Sequence, residues 1–72
     1  MTLYDLKLGQ KGIINNIEVD PKLAKRLLAL GCVEGTEIEI KKIAPFGDPI
    51  GVRFRGLDLA IRNSDAKNIF LK

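Results

Sequence analysis

Histidine and tryptophan are absent from this 72-residue chain, and cysteine, methionine and tyrosine occur once each. Without histidine, the commonest general base and the commonest transition-metal ligand are both missing. One cysteine and no histidine cannot build a tetrahedral zinc site of thiolates and imidazoles within a single chain. Nor can a lone cysteine form an internal disulfide, which suits a reducing compartment. No Walker-type phosphate loop or glycine-rich dinucleotide fingerprint occurs, although there are seven glycines. The longest apolar stretch, Leu27 to Val33, falls far short of the ~20 residues that cross a bilayer. Met1 to Asp5 shows no basic region leading into an apolar one, so no secretory signal is expected. These absences predict a cytosolic protein without membrane insertion, without a cofactor and without enzymatic activity.

What is present is an ordinary globular composition: 46% hydrophobic and 29% charged residues. The length predicts a single domain over residues 1–72. Twelve basic residues against nine acidic ones give a net charge of +3. That bias is milder than a dedicated nucleic-acid surface shows, so no nucleic-acid partner is expected.

The hydrophobic rhythm changes along the chain. Residues 2–9 read as a lead-in. Lys11 to Val19 is rich in β-branched residues and predicts a curved strand, since Ile13 and Ile14 cannot both point inward without a bulge. Asp20-Pro21 signals a helix start, with Asp as cap and Pro in the first turn. Leu23, Leu27 and Leu30 then recur at helical spacing with Ala24 and Leu28 beside them, predicting an amphipathic helix over about 20–31 whose leucines are core. Gly31 stands where a left-handed C-terminal residue belongs. From Thr36 the period drops to two, with Ile38 and Ile40 inward. Ile50–Arg55 and Asp58–Arg62 continue the alternation. A two-residue type II′ turn at Gly56-Leu57 would pair Arg55 with Asp58, Phe54 with Leu59 and Val52 with Ile61. Ser64-Asp65-Ala66 reads as one helical turn, and Lys67–Leu71 as a closing strand. The fold class is therefore mainly β: a small barrel of about five strands, closed or nearly so, with one inserted helix and a short helical turn near 64–66.

The run from Arg26 to Ile40, which reads RLLALGCVEGTEIEI, resembles the helix-turn-strand signature of the FeoA family. Ala44-Pro45-Phe46-Gly47-Asp48-Pro49-Ile50 resembles its next landmark, and Ala60-Ile61-Arg62 with Ala66 and Ile69 its closing segment. Leu3, Leu6 and Gly9 match the opening. Cys32 and Glu34 depart from it, standing where the family usually has an aliphatic residue and often has proline. The resemblance implies an SH3-like barrel and a cytosolic accessory role in ferrous iron uptake. Its implied partner is a FeoB-like membrane transporter carrying a GTP-binding cytosolic domain, which would recruit the protein to the inner face of the membrane. The same barrel type serves as the C-terminal domain of iron-dependent repressors, so a stand-alone relative of that domain is the alternative, beside RNA binding. Proline-rich peptide recognition needs an aromatic-lined groove, hard to build with no Trp and one Tyr.

Two candidate partner-binding features follow. In the loop Pro45-Phe46-Gly47-Asp48-Pro49, the prolines limit conformational freedom and Phe46 can serve as a rigid apolar anchor. The competing reading is a plain hairpin connection with Phe46 folded back on the barrel. Lys22, Lys25 and Arg26 share the outer helix face and could meet an acidic surface, or simply be solvated. Arg53, Arg55 and Arg62 also project outward, with Arg55 expected to be held by Asp58. Some of the leucine stripe, if uncovered, could support weak self-association. Glu37 and Glu39 alternate as solvated strand residues do, so no metal site is expected, despite the family's general association with metal ions.

Overall fold

The computed structural model describes all residues, Met1–Lys72. A 3-10 turn at Leu3–Asp5 leads into β1 (Lys11–Ile17), α1 (Pro21–Ala29), β2 (Glu37–Ile43), β3 (Ile50–Phe54), β4 (Leu57–Ile61), α2 (Asn63–Ala66) and β5 (Ile69–Leu71). The five strands form one antiparallel sheet in the order β4-β3-β2-β1-β5, a mainly β architecture as the alternation predicts.

β1 is the pivot of the sheet. Its first half pairs with β2, Lys11 opposite Glu39, and its second half pairs with β5, Ile14 opposite Leu71. The register breaks between Ile14 and Asn16. Ile14 is fully buried and its neighbour Ile13 exposed, as plain alternation gives, so the two isoleucines need no bulge between them. The break falls at Asn15 instead and turns Ile17, three residues after Ile14, toward the core as well. A second break between Ile40 and Lys42 leaves both Lys41 and Lys42 in solvent.

The ends of α1 follow from single residues. Asp20 caps the start, its Oδ1 accepting from the Leu23 amide at 3.0 Å, with Pro21 in the first turn. At the other end Gly31 adopts φ +87°. The Gly31 amide then donates to the Leu28 carbonyl and the Cys32 amide to the Leu27 carbonyl, at 3.0 and 2.9 Å. This paired closure satisfies carbonyls the helix leaves open. The helix is shorter than the span 20–31, because residues 20, 30 and 31 are capping positions. Its leucine stripe is also not uniformly core. Leu27 alone is fully buried, Leu23 and Leu30 pack at the margin, and Leu28 is 66% exposed. About two and a half turns of helix lying on a curved sheet offer a single residue to the deepest contact.

The β3–β4 hairpin corrects the expected register. Arg55 and Gly56, not Gly56 and Leu57, form the turn, both with positive φ (51° and 78°). The pairs are Phe54↔Leu57, Arg53↔Asp58, Val52↔Leu59 and Ile50↔Ile61. The slip is two residues, so every inward side chain remains inward; the hydrophobic pattern cannot distinguish the two arrangements. Two positive φ values give the turn the twist that matches the strands. Consequently Asp58 is held by Arg53 rather than Arg55, through Nε at 2.7 Å and a second guanidinium nitrogen at 3.0 Å. Arg55 instead lies over Gly31, where an added Cβ would stand 3.0 Å from its Nε.

The core runs through the space enclosed by the sheet, with Phe54, Leu3, Ile14, Leu27, Ile38, Ile40, Ile61 and Ile69 among its fully buried side chains. Cys32 joins it, its thiol pushed up by burial, consistent with packing as a small apolar residue. No helix of the chain is long and apolar enough to cross a membrane.

Candidate functional site

The loop between β2 and β3 is short and held at several points. The Gly47 amide donates to the Ala44 carbonyl at 2.7 Å, closing a turn with Pro45 and Phe46 at its tip, and the Ala44 amide donates to the Pro49 carbonyl at 3.1 Å. Gly47 takes φ +85°. Two further bonds come from the start of α2. The Asn63 side-chain amide donates to the Gly47 carbonyl at 2.8 Å, and the Asn63 backbone amide donates to Asp48 Oδ1 at 3.0 Å. Phe46 is 99% exposed. The plain-connection reading required it to fold back onto the barrel; it stands in water instead, on a loop whose base is fixed.

Asn63 was not singled out by the sequence, because its partners lie fifteen and sixteen residues away and no local pattern marks such a pair. Replacing it with alanine removes the bond to Gly47 and leaves that carbonyl unpaired. A loss of about 1–3 kcal/mol is expected, with faster amide exchange confined to residues 44–49. An exchange pattern unchanged in the loop would show that the clamp is not what orders it.

The basic helix residues are divided by the fold. Lys22 and Arg26, one helical turn apart, line a groove of about 300 Å³ between α1 and the end of β4, with Leu23, Ala60, Ile61 and Arg62 also in its walls. Lys25 lies outside it. Two acids complete the groove, and both are engaged: Asp20 caps α1 and Asp65 pairs with Arg62 at 3.1 Å. Lys22, Lys25 and Arg26 have no acidic partner within the chain. Arg62 in the groove and Asn63, which holds Gly47 and Asp48 at the base of the loop, are consecutive residues, so the loop base and the basic groove are both anchored at the start of α2.

The remaining aromatic residues form no stacking platform. Phe54 is buried, Phe70 is half-buried, and the Lys67 ammonium lies 4.8 Å from the Tyr4 ring centroid. A single-strand reader needs several exposed rings, and only Phe46 stands free.

For a metal ion, the residues present do not fit. No three cysteine, aspartate or glutamate side chains converge. Glu37 and Glu39 point instead to Lys11 and Lys41, each at 3.9 Å. The carboxylate with a perturbed equilibrium is Asp58, lowered chiefly by the hydrogen bond from Arg53. Its sign is that of a depressed acid: the stabilisation is present above the ordinary carboxylate range and is lost as pH falls through the lower folded value. Both groups are exposed, so the effect on stability is small. A carbon-detected NMR titration is expected to show Asp58 titrating below the ordinary aspartate value, and Arg53→Gln to move it back. An unshifted Asp58 in the parent protein would show that the fork does not persist in solution.

The model of the FeoA domain matches residues 1–72. The structure superposes on that of the FeoA protein from Chlorobium tepidum with a TM-score of 0.94 at 34% identity, covering 99% of this chain and 68% of that one. FeoA of Stenotrophomonas maltophilia, solved with zinc and described as a procaryotic SH3 domain protein and candidate ferrous iron transport activating factor, matches at TM-score 0.84 and 29% identity, over 100% and 89% of the two chains. IdeR of T. acidophilum matches at 0.83 and 19% identity, over all of this chain and 33% of its own, which is a likeness of fold alone. The five-stranded sheet is thus the SH3-like fold of these proteins, and the chain belongs to the FeoA family of ferrous iron transport proteins.

Proposed function

We propose that this protein is a non-enzymatic cytosolic module that docks on a FeoB-like membrane transporter and biases the cycle of its GTP-binding cytosolic domain. The docking surface is the Pro45–Pro49 loop together with the basic residues Lys22 and Arg26, with Lys25 at its margin. The single observation that carries this reading is Phe46, wholly in water on a loop clamped by Asn63. An exposed aromatic on an ordered loop gives up little entropy on binding, and such anchors dominate interface energies. Membership of the FeoA family supports the choice of partner. Any such module works by favouring one conformer of its partner, which requires unequal affinity for the two.

The test is a titration of the isotopically labelled chain with the transporter's cytosolic domain, with and without a GTP analogue. Shift changes are expected at Phe46, Asp48, Lys22 and Arg26, with different affinities in the two nucleotide states. Phe46→Ala is expected to weaken binding by about 2 kcal/mol, roughly thirtyfold, while leaving the melting temperature unchanged. Absence of any shift at millimolar partner defeats the proposal.

A further inference from the structure

The two ends of the sheet are treated differently. At one end β5 is covered by the chain's own start: Thr2 bridges Phe70, and the Leu71 amide donates to the Met1 carbonyl at 2.8 Å. At the other end β4 pairs with β3 alone. A two-residue turn makes Phe54 and Leu57 the closing hydrogen-bonded pair, so antiparallel alternation makes Val52–Leu59 and Ile50–Ile61 the next ones. The N–H and C=O groups of Asp58 and Ala60 therefore point away from β3, into solvent. Natural edges are usually blunted by lysine, proline, a bulge or a covering segment. From Leu57 to Ile61 there is no lysine and no proline, and the β3–β4 register runs unbroken.

Beside this bare edge lies the basic groove. Ala60 and Ile61 form one wall, and Lys22 and Arg26, both without acidic partners, stand on the other. Unpaired main-chain groups and uncompensated cations thus occur side by side. The geometry points to the β4 edge as the seat of an acidic, extended peptide segment, which adds to the sheet through Asp58 and Ala60 and sets its carboxylates against Lys22 and Arg26. This rests on the docking reading above and supplies the chemistry of the partner: a β-prone stretch carrying glutamate or aspartate. A second copy of this chain fits less well, because the one acid on its own β4, Asp58, is already held by Arg53 at 2.7 Å.

The probe is a short blocked peptide of alternating glutamate and valine, added to the full labelled chain. Slower hydrogen exchange is expected at the Asp58 and Ala60 amides, with binding that weakens as salt rises. Lys22→Glu combined with Arg26→Glu, which leaves the β ladder untouched, is expected to lower affinity about tenfold. A lysine-valine peptide of the same length should not bind. Of the two versions of the acidic peptide N-methylated at alternate residues, one should lose binding and the other keep it, because only one set of amides faces β4. Unchanged exchange at Asp58 and Ala60, equal binding of the lysine peptide, or β4 protection that rises with protein concentration alone would each overturn the assignment. Should the peptide fail while the transporter domain still shifts Phe46, the edge is lost and the docking reading stands. Should the peptide bind while the domain does not, the reverse holds.

Discussion

Phe54→Ala is expected to remove about 3–5 kcal/mol of stability, the usual cost of deleting a buried phenylalanine ring. Phe54 is 1% exposed and closes the hairpin opposite Leu57, so the cavity opens beneath the β3–β4 turn. A domain of 72 residues has about 4–11 kcal/mol in total, from roughly 0.05–0.15 kcal/mol per residue. The substitution therefore takes a large fraction of the whole. With a slope near 1 kcal/mol per molar urea, the unfolding midpoint should fall by about 3–5 M. Phe54→Leu keeps most of the volume and should cost less than about 1.5 kcal/mol. A drop below about 1 kcal/mol for the alanine variant would mean that the hairpin collapses onto the space or that the ring is not buried.

Leu27 and Leu28 are adjacent, identical and expected to behave in opposite ways. Leu27→Ala should cost about 2–5 kcal/mol, because Leu27 is the one fully buried residue of α1. Losing it loosens the helix from the barrel and with it the placement of Lys22 and Arg26, so the groove should lose order before the sheet does. Leu28→Ala, at a side chain 66% in water, should change stability by no more than about 0.5 kcal/mol. Urea unfolding of the two variants, read beside amide exchange along α1, checks both statements. Equal losses would show that Leu28 is covered in solution, as it would be if two copies met on that face.

Much of the fold was legible residue by residue. Asp20, Pro21 and Gly31 placed the helix, and the alternation through Ile38 and Ile40 placed β2, because caps and periodicities act within a few residues. An irregularity in β1 was expected, but between Ile13 and Ile14; it falls at Asn15, where it brings Ile17 to the same side as Ile14. The turn at Pro45–Pro49 was readable in the same way as the helix caps, because its prolines and glycine act on the local backbone; that Phe46 stands in water was not, because folding back depends on what the barrel presents beneath the loop.

Three things lay beyond local pattern. The hairpin could slip by two residues without moving any side chain to the other face, so the choice of Arg53 over Arg55 as partner of Asp58 came from the turn and the assembled sheet. The stripe on α1 could not reveal that Leu28 is left in water, because the spacing of leucines specifies a face and not how far the barrel reaches around it. Asn63 reaches a loop fifteen residues earlier only because the chain has already passed through β3 and β4. Short-range preferences set which way each residue faces and where each element begins; which distant groups come to lie against one another depends on the path of the whole chain.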